Sequence, residues 1–230
     1  MDNRHPNYVG DVAISPNPEL AERVRNADQV LVLGARLGEM TSGGYTLFKV
    51  PNPKQKLIHV HADPDELGRV YRPQIGLACR AADFVAVAAE MTEGMVRKTP
   101  VRAKESYIKW QEPLETPGDV KMEQVICHMK DVLPENAIIA NGAGNYAGWI
   151  HRYYSFRWYR TQLAPTSGSM GYGLPAAIAA KLQYPEREVI CLAGDGCFQM
   201  TMQEFGTALQ YGIKLIVILV NNGVYGTIRM

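Results

Sequence analysis

The residues of this sequence whose types and spacing could do chemistry are an aspartate between two glycines and an asparagine 27 positions later. Asp195 follows the apolar run 188–193, and Asn222 follows the run 214–220. Because the carboxyl ends of parallel strands meet at one edge of a sheet, we expect the two side chains to lie together. A carboxylate and an amide oxygen suit Mg²⁺, which prefers oxygen ligands and completes its shell with phosphate and water. The pattern predicts a diphosphate held through a magnesium ion.

The segment between the two runs is amphipathic over about 201–211, which predicts a helix there. Strand, helix and strand then form one unit of a parallel α/β sheet. The glycines beside Asp195 would let backbone N–H groups approach phosphate oxygens closely near a helix N-terminus.

The paired motif resembles the thiamine-diphosphate signature, a Gly-Asp-Gly followed some 25 to 30 residues later by Asn-Asn, here Asn221-Asn222. The resemblance implies that the Asp195 and Asn222 side chains and the Val224 carbonyl hold Mg²⁺. It also implies a set of backbone and ring positions that steady the diphosphate: Gly194, Gly196, Cys197, Tyr225 and Gly226.

The segment 166–180 resembles the one that opens the main helix of the diphosphate-binding domain in acetolactate synthases and related 2-keto-acid decarboxylases. Small residues before Leu174 permit close backbone approach to a flat ligand, and Pro175 suits a first helical turn. The resemblance implies that Met170 props the cofactor into its bent shape and that the Gly168 carbonyl accepts a hydrogen bond from the aminopyrimidine. The alternative for Met170 is a core position that fills a gap.

A third segment, 141–149, follows the predicted strand 137–140 and resembles the first loop of the same domain. Asn145 and Tyr146 stand where family members often carry Gln-His, which reaches the diphosphate. Asn-Tyr in place of Gln-His keeps an amide group and a ring that carries a polar atom, but it changes how far the two side chains extend. The alternative is a turn followed by an ordinary helix N-terminus.

The first half of the sequence resembles the central domain of the same superfamily, through Leu-Gly-Ala-Arg-Leu at 33–37 and the run from His59 to Gly68. In acetolactate synthases this domain can bind FAD, and Gly34, Arg36 and Asp63 stand where they would line a dinucleotide. Residues 38–41 lack the Asp-Asp-Arg stretch of many flavin-binding members, which favours a structural role for the domain.

The expected fold class is therefore α/β, with two parallel-sheet domains that have helices on both faces. Residues 1–95 are predicted to form a Rossmann-like central domain, residues 96–118 a linker with a short helix near 107–112, and residues 119–230 the diphosphate-binding domain. Both domains lack elements that the family carries, so we expect the chain to be incomplete at both ends.

Composition sets outer limits on function. Twenty-four basic and 23 acidic residues give a net charge of +1, which argues against nucleic acid or an anionic membrane as partner. No apolar stretch approaches the 18 residues of a membrane span, and there is no signal-peptide layout. The four cysteines form no CxxC pair and indicate reduced thiols, so we expect a cytoplasmic protein.

The resemblance implies a thiamine-diphosphate-dependent lyase or transferase that, when intact, decarboxylates a 2-keto acid such as pyruvate and joins the product to a second carbonyl. Benzoylformate-type decarboxylation and acetyl transfer to phosphate stay open, as does a non-catalytic truncated module. No catalytic residue is expected in this chain, since the glutamate that activates the cofactor belongs to another domain of the family. A homodimer or homotetramer is expected, with a 2-keto acid as the small-molecule partner.

Overall fold

The computed structural model of the chain describes residues 2–12, 16–95 and 101–229. The contacts between Cα atoms divide the chain into two compact units. Val9–Trp110 form the first unit, and the residues after Trp110, together with those before Val9, form the second. Each unit is built around a parallel sheet with helices, which confirms the predicted fold class.

The first unit contains a three-stranded parallel sheet in the order β1-β2-β3. Its elements, in chain order, are helix α1 (Pro18–Arg25), strands β1 (Gln29–Leu33), β2 (Lys56–His61) and β3 (Ile75–Ala78), and helices α2 (Ala81–Met91) and α3 (Val101–Trp110). Helix α1 has a capped start, since the Asn17 side chain accepts a hydrogen bond from Glu19 N and Pro18 opens the first turn.

The two faces of this first sheet are covered to different extents. One face packs Val32 and Leu57 against Phe48 and Tyr71, all of them buried. On the opposite face, Val60 of the central strand is buried, whereas the residues of the two outer strands are 38% to 47% exposed, namely Leu31, Leu33, Ile75 and Leu77. The first unit therefore has one closed core and one apolar face that is only partly covered.

The second unit contains a four-stranded parallel sheet in the order β5-β4-β6-β7. Its elements, in chain order, are helix α4 (Met122–Val132), strand β4 (Ile138–Asn141), helix α5 (Ala147–Tyr153), strand β5 (Gln162–Leu163), helix α6 (Gly173–Gln183), strand β6 (Val189–Gly194), helices α7 (Asp195–Gln199) and α8 (Glu204–Gln210), and strand β7 (Ile216–Val220). Helices cover both faces of the central strands.

Alternate residues of β4 and β6 enter two separate cores, as expected for strands buried on both sides. Ile139 and Ile190 pack against Ile126 of α4 and Ile150 of α5, whereas Ile138 and Val189 lie in the core that includes α6. Ile218 and Val220 of β7 also pack against the first of these cores, whereas Ile216 is 49% exposed.

The chain division differs from the predicted domain ranges at the N-terminus. Asn3 N donates to the carbonyl of Phe156 at 2.8 Å, and Phe156 N donates to the Asn3 side chain at 2.7 Å. Arg4 forms an ion pair with Glu135. These contacts attach the N-terminal residues to the second unit, although the sequence placed them in the first domain.

The predicted linker 96–118 also differs from the structure, although its residues 96–100 lie outside the described part of the chain. Its helix was predicted over 107–112, but α3 occupies Val101–Trp110 and belongs to the first unit. The side chain of Asn17 donates to Ser106 Oγ at 2.9 Å, and Tyr107 is 5% exposed. The helix has a buried face against α1, which the polar composition of the segment concealed.

Within the described residues, no helix is both long and apolar enough to cross a membrane.

Candidate cofactor site

The order of the second sheet defines where a ligand can enter. Strand β5 lies on one side of β4, and the next strand along the chain, β6, lies on the other. The chain connections that leave the carboxyl ends of β4 and β6 therefore run in opposite directions and open a crevice between them. The loops after β4, β6 and β7 carry most of the predicted site residues.

A cleft opens at this edge, with about 530 Å³ of empty space when the open solvent at its mouth is included. Eleven of the predicted residues line it: Asn145, Tyr146, Met170, Gly194, Asp195, Gly196, Cys197, Asn222, Val224, Tyr225 and Gly226. Gly168 is not among the lining residues and lies on the surface of the preceding loop.

The strand register places the two predicted metal ligands at neighbouring strand ends. Gly194, which precedes Asp195, pairs with Val220, and Asn222 follows two residues later. Asn222 Oδ1 accepts a hydrogen bond from Val224 N at 3.1 Å, in a turn that Gly223 closes with a φ of 64°. An amide oxygen has two lone pairs, so Asn222 keeps one for a cation.

The helix predicted over 201–211 is confirmed in shorter form as α8, and the structure adds a helix that was not predicted, α7, which begins directly at Asp195. Gly194 precedes the first turn of α7 without a side-chain cap. The first N–H groups of a helix have no partner within it, so those at Asp195, Gly196 and Cys197 are available to a bound group. The glycine–aspartate motif thus forms the helix start itself.

Gly196 lies beneath two side chains that converge on the cleft. A Cβ atom at this position would lie 3.0 Å from a ring carbon of Tyr225 and 3.4 Å from the methyl carbon of Met170. Met170 also packs against the core of the second unit. The two interpretations of Met170, a cleft residue and a core residue, are therefore compatible.

The Tyr146 ring fills the base of the cleft between three glycines. Cβ atoms at Gly142, Gly144 or Gly194 would lie 2.8 to 2.9 Å from the Tyr146 side chain. Tyr146 is 9% exposed, and its hydroxyl has no hydrogen-bond partner of ordinary geometry among the described residues. Burial raises the pKa of the Tyr146 phenol above its ordinary value, and the nearby Cys197 thiol adds to the increase. The phenol therefore stays protonated and can donate a hydrogen bond.

Asn145 faces a residue that the sequence interpretation missed. Thr227 Oγ1 donates to Asn145 Oδ1 at 3.0 Å, across 82 positions of the chain. Thr227 lies in a short 3₁₀ helix at Gly226–Ile228 that forms one wall of the cleft. Its only sequence signal is its place in the loop after β7.

All four cysteines of the chain are free, and Cys197 lines the cleft. Cys197 Sγ accepts a hydrogen bond from Gly171 N at 3.1 Å. Burial raises the pKa of the Cys191 thiol to about 12, with a contribution from Cys197, so Cys191 is a packing residue of β6. No cluster of three His, Cys, Asp or Glu residues suited to a metal occurs in the described ranges, so a cation here depends on mixed oxygen donors.

The first unit does not assemble the residues predicted for FAD. Gly34 has a φ of 71° and lies against α2, since a Cβ there would approach that of Ala81 to 3.3 Å. Asp63 Oδ1 caps a short 3₁₀ helix by accepting from Asp65 N, and Arg36 forms an ion pair with Glu66 at 3.2 Å. The cavity lined by Arg36 includes neither Gly34 nor Asp63. Gly34, Arg36 and Asp63 therefore each have a structural role in this unit.

The chain has two parallel-sheet α/β units, one of which carries the cleft at the carboxyl edge of its sheet, and the family comparisons agree with this fold. Residues 142–230 match the model of the thiamine pyrophosphate enzyme C-terminal TPP binding domain, and residues 1–87 match that of the thiamine pyrophosphate enzyme central domain. The chain belongs to the thiamine pyrophosphate enzyme family, within its acetolactate synthase and 2-keto-acid decarboxylase superfamily.

Similar proteins include the acetolactate synthase large subunits of Corynebacterium glutamicum and Pyropia yezoensis, both 31% identical to this chain over 98% and 90% of its length. The acetolactate synthase of Mycobacterium avium is 29% identical over 98%. The chain spans 36% to 37% of the length of these curated relatives.

Proposed function

We propose that this chain provides the diphosphate- and magnesium-binding half of a thiamine-diphosphate-dependent enzyme that acts on a 2-keto acid such as pyruvate. The observation that supports it most directly is the convergence of Asp195, Asn222 and Val224 on one cleft with the start of α7. Acetolactate-synthase-like decarboxylation and carboligation, which would make the protein a lyase or transferase, is the favoured activity because the similar proteins carry that name.

The donor set fits the proposed ion. One carboxylate, one amide oxygen and one backbone carbonyl suit Mg²⁺, which would draw its remaining ligands from diphosphate and water. The unpaired Tyr146 hydroxyl and the N–H groups at the start of α7 are donors of the kind that phosphate oxygens accept. Asp195, Asn222 and Val224 would hold the metal, while these donors orient the diphosphate.

When bound, thiamine diphosphate supplies the electron sink that a 2-keto acid needs to lose carbon dioxide. The residues of this chain would act by shaping the cleft around the ligand and orienting it. Met170 and Tyr225 narrow the cleft above Gly196, where they would restrict water and limit the shapes that a ligand can adopt. The Gly168 carbonyl is proposed to accept a hydrogen bond from the aminopyrimidine, although this residue does not line the described cleft.

The test is the metal dependence of ligand binding. Titration calorimetry with inorganic diphosphate and with thiamine diphosphate should show binding that needs Mg²⁺ and is abolished by Asp195→Ala. Asp131→Ala, at an exposed position of α4, is the matched control and should bind as the unmodified protein does. Binding that is independent of metal and unchanged by Asp195→Ala would sink the assignment.

A non-catalytic module is the second candidate, and one observation favours it. The residues that line the cleft include no glutamate, the residue type that the family uses to activate the cofactor. We therefore expect the 230-residue chain to bind diphosphate but not to turn over pyruvate by itself. Acetolactate formation by the purified chain would contradict this expectation and identify a complete active site.

We further propose that the protein is cytoplasmic and works as a homodimer or homotetramer, with a 2-keto acid as its small-molecule partner. Benzoylformate-type decarboxylation and acetyl transfer to phosphate are the alternative activities. Product analysis with pyruvate and with benzoylformate, in a protein that supplies the remaining domain of the family, would separate the three.

A further inference from the structure

We propose that Asn145 is a positioning residue, which fastens the loop after β7 over the cleft and so orients the two metal ligands that this loop carries. The inference rests on the proposed function, since it concerns the same metal site. It assigns to Asn145 a role different from the contact with diphosphate that its place in the sequence implies. Thr227 is the partner through which Asn145 acts.

The first step is the bond that joins the two loops. Thr227 Oγ1 donates to Asn145 Oδ1 at 3.0 Å, and the two residues lie in the loops after β7 and β4. Strand β6 separates β4 from β7 in the sheet, so this bond crosses above the β6 end where Asp195 stands. Both partners of the bond line the cleft.

The second step is a pair of hydrogen bonds that connects the Asn145–Thr227 bond to the predicted metal ligands. Gly226, which precedes Thr227, donates its N–H to the Val224 carbonyl at 3.0 Å. Val224 N in turn donates to Asn222 Oδ1 at 3.1 Å. Both predicted ligands of the loop are therefore oriented by backbone groups that the Thr227 bond holds in place.

The third step is the position of Gly226 between two amide side chains. A Cβ atom there would lie 3.4 Å from Asn145 Nδ2 and 3.6 Å from Asn222 Nδ2. The Tyr225 ring lies against Gly196. The segment from Val224 to Thr227 thus contacts both Asn145 and the start of α7.

The geometry separates this role from simple phosphate binding. If Asn145 only contacted diphosphate, substitution of Asn145 would weaken diphosphate binding and substitution of Thr227 would not. If Asn145 is a positioning residue, the substitutions of Asn145 and Thr227 should weaken binding equally, because either one breaks the same hydrogen bond. Removing both partners should then cost no more than removing one.

The experiment uses the full chain with Mg²⁺ and inorganic diphosphate as the probe. Thr227→Val and Asn145→Leu should each weaken Mg²⁺-dependent binding about two- to fivefold, the range of one solvent-exposed hydrogen bond. The double variant should show the same weakening as either single one. Thr227→Ser, which keeps the hydroxyl, should restore the affinity of the unmodified protein.

Thr207→Val is the matched control, because Thr207 Oγ1 donates to Glu204 Oε2 at 2.9 Å on α8, away from the cleft. Backbone hydrogen exchange, measured without any ligand, provides the second readout. Exchange over 224–229 should accelerate in Thr227→Val and Asn145→Leu and stay unchanged in Thr207→Val.

The outcomes distinguish the two proposals. If the unmodified protein binds Mg²⁺ and diphosphate but Thr227→Val binds equally well, the positioning role is overturned and the proposed function stands. If the unmodified protein binds no Mg²⁺ with diphosphate, the proposed function is overturned and the positioning role with it. Unchanged exchange over 224–229 in both variants would overturn the inference whatever the binding result.

Discussion

Tyr146 combines a packing role for its ring with a buried hydroxyl that can donate a hydrogen bond to a ligand. Its ring occupies the space that three glycines leave open, and its hydroxyl is buried without a partner. A buried hydroxyl without a partner loses its hydration and gains nothing in return. Such a cost is usual at sites where a ligand supplies the missing acceptor.

Tyr146→Phe should therefore leave the free energy of unfolding unchanged or raise it by up to about 1 kcal/mol in the absence of ligand, because an unpaired hydroxyl is removed. The same variant should bind Mg²⁺ and diphosphate more weakly. Urea denaturation and calorimetry measure the two effects.

Tyr71→Phe is the control for Tyr146→Phe, since the Tyr71 hydroxyl is also buried without a partner but lies in the first unit. It should match Tyr146→Phe in stability and leave diphosphate binding unaltered. A loss of more than about 1 kcal/mol for Tyr146→Phe would mean that the hydroxyl has a partner in the folded protein.

At the scale of the element, Gly173 lets helix α6 approach the loop after β4. A Cβ atom at this position would lie 3.0 Å from Gly142 N and 3.2 Å from the Asn141 carbonyl carbon, both backbone atoms. Backbone cannot yield as a flexible side chain does. The close approach brings the start of α6 against the base of the cleft.

Gly173→Ala should lower the free energy of unfolding by about 1 to 3 kcal/mol, because one of the two backbone segments must shift. Gly148→Ala, within α5, is the control, since nothing lies within 4 Å of the added methyl group. That change should raise stability by up to about 1 kcal/mol, from the better helix propensity of alanine. Equal effects of the two substitutions in thermal unfolding would contradict the close-approach argument.

Glu123 anchors the start of α4 to the segment that precedes it. It is 1% exposed, and Thr116 Oγ1 donates to both of its carboxylate oxygens, at 2.9 and 3.0 Å. Burial acts to raise the pKa of Glu123, but hydrogen bonds from the backbone and from Thr116, with the charge of Lys121, outweigh it and lower the pKa. The folded protein thus favours the charged form more than the unfolded chain does.

The contribution of Glu123 to stability should therefore be complete above the pKa of the unfolded chain, about 4.3, and disappear as the pH falls through the lower folded-state value. Glu123→Gln should be less stable than the unmodified protein at pH 7 and lose less stability between about pH 4.5 and pH 3. Urea denaturation across this range measures both effects. Glu112→Gln, at an exposed position, should leave the pH profile unchanged.

For the whole molecule, we expect association to involve the half-covered face of the first sheet. Leu31 and Leu33 on β1 and Ile75 and Leu77 on β3 present exposed apolar side chains there, on either side of the buried Val60 of β2. Surfaces of this kind mark contacts with other chains. The same sheet ends at β3, whose four residues are all exposed.

The purified chain should therefore associate as its concentration rises, which light scattering measures. Ile75→Lys, which places a charge on this face, should shift the population toward the monomer. Leu209→Lys introduces the same charge at a residue that is 79% exposed on α8 and should have little effect. A monomer at all concentrations for the unmodified protein would contradict the expected homo-oligomer.

The sequence alone determined that β6 and β7 are strands beside the site, and it indicated the family. Strand β6 is a short run of buried residues and β7 is a short apolar run whose residues are half-buried or exposed, and short apolar runs of this kind predict strands of a parallel sheet. The spacing of Asp195 and Asn222 follows from the length of the strand–helix–strand unit between them. Such local patterns need no knowledge of distant contacts.

Only the tertiary structure decided how the site is closed and where the units divide. Strand β5 has two residues, too few to form a pattern. The contact of Asn3 with Phe156 and the bond of Asn145 to Thr227 join residues far apart in the chain. Hydrogen bonds across 82 or 153 positions leave no periodic trace in the sequence, so the fold must bring their partners together before they can be recognised.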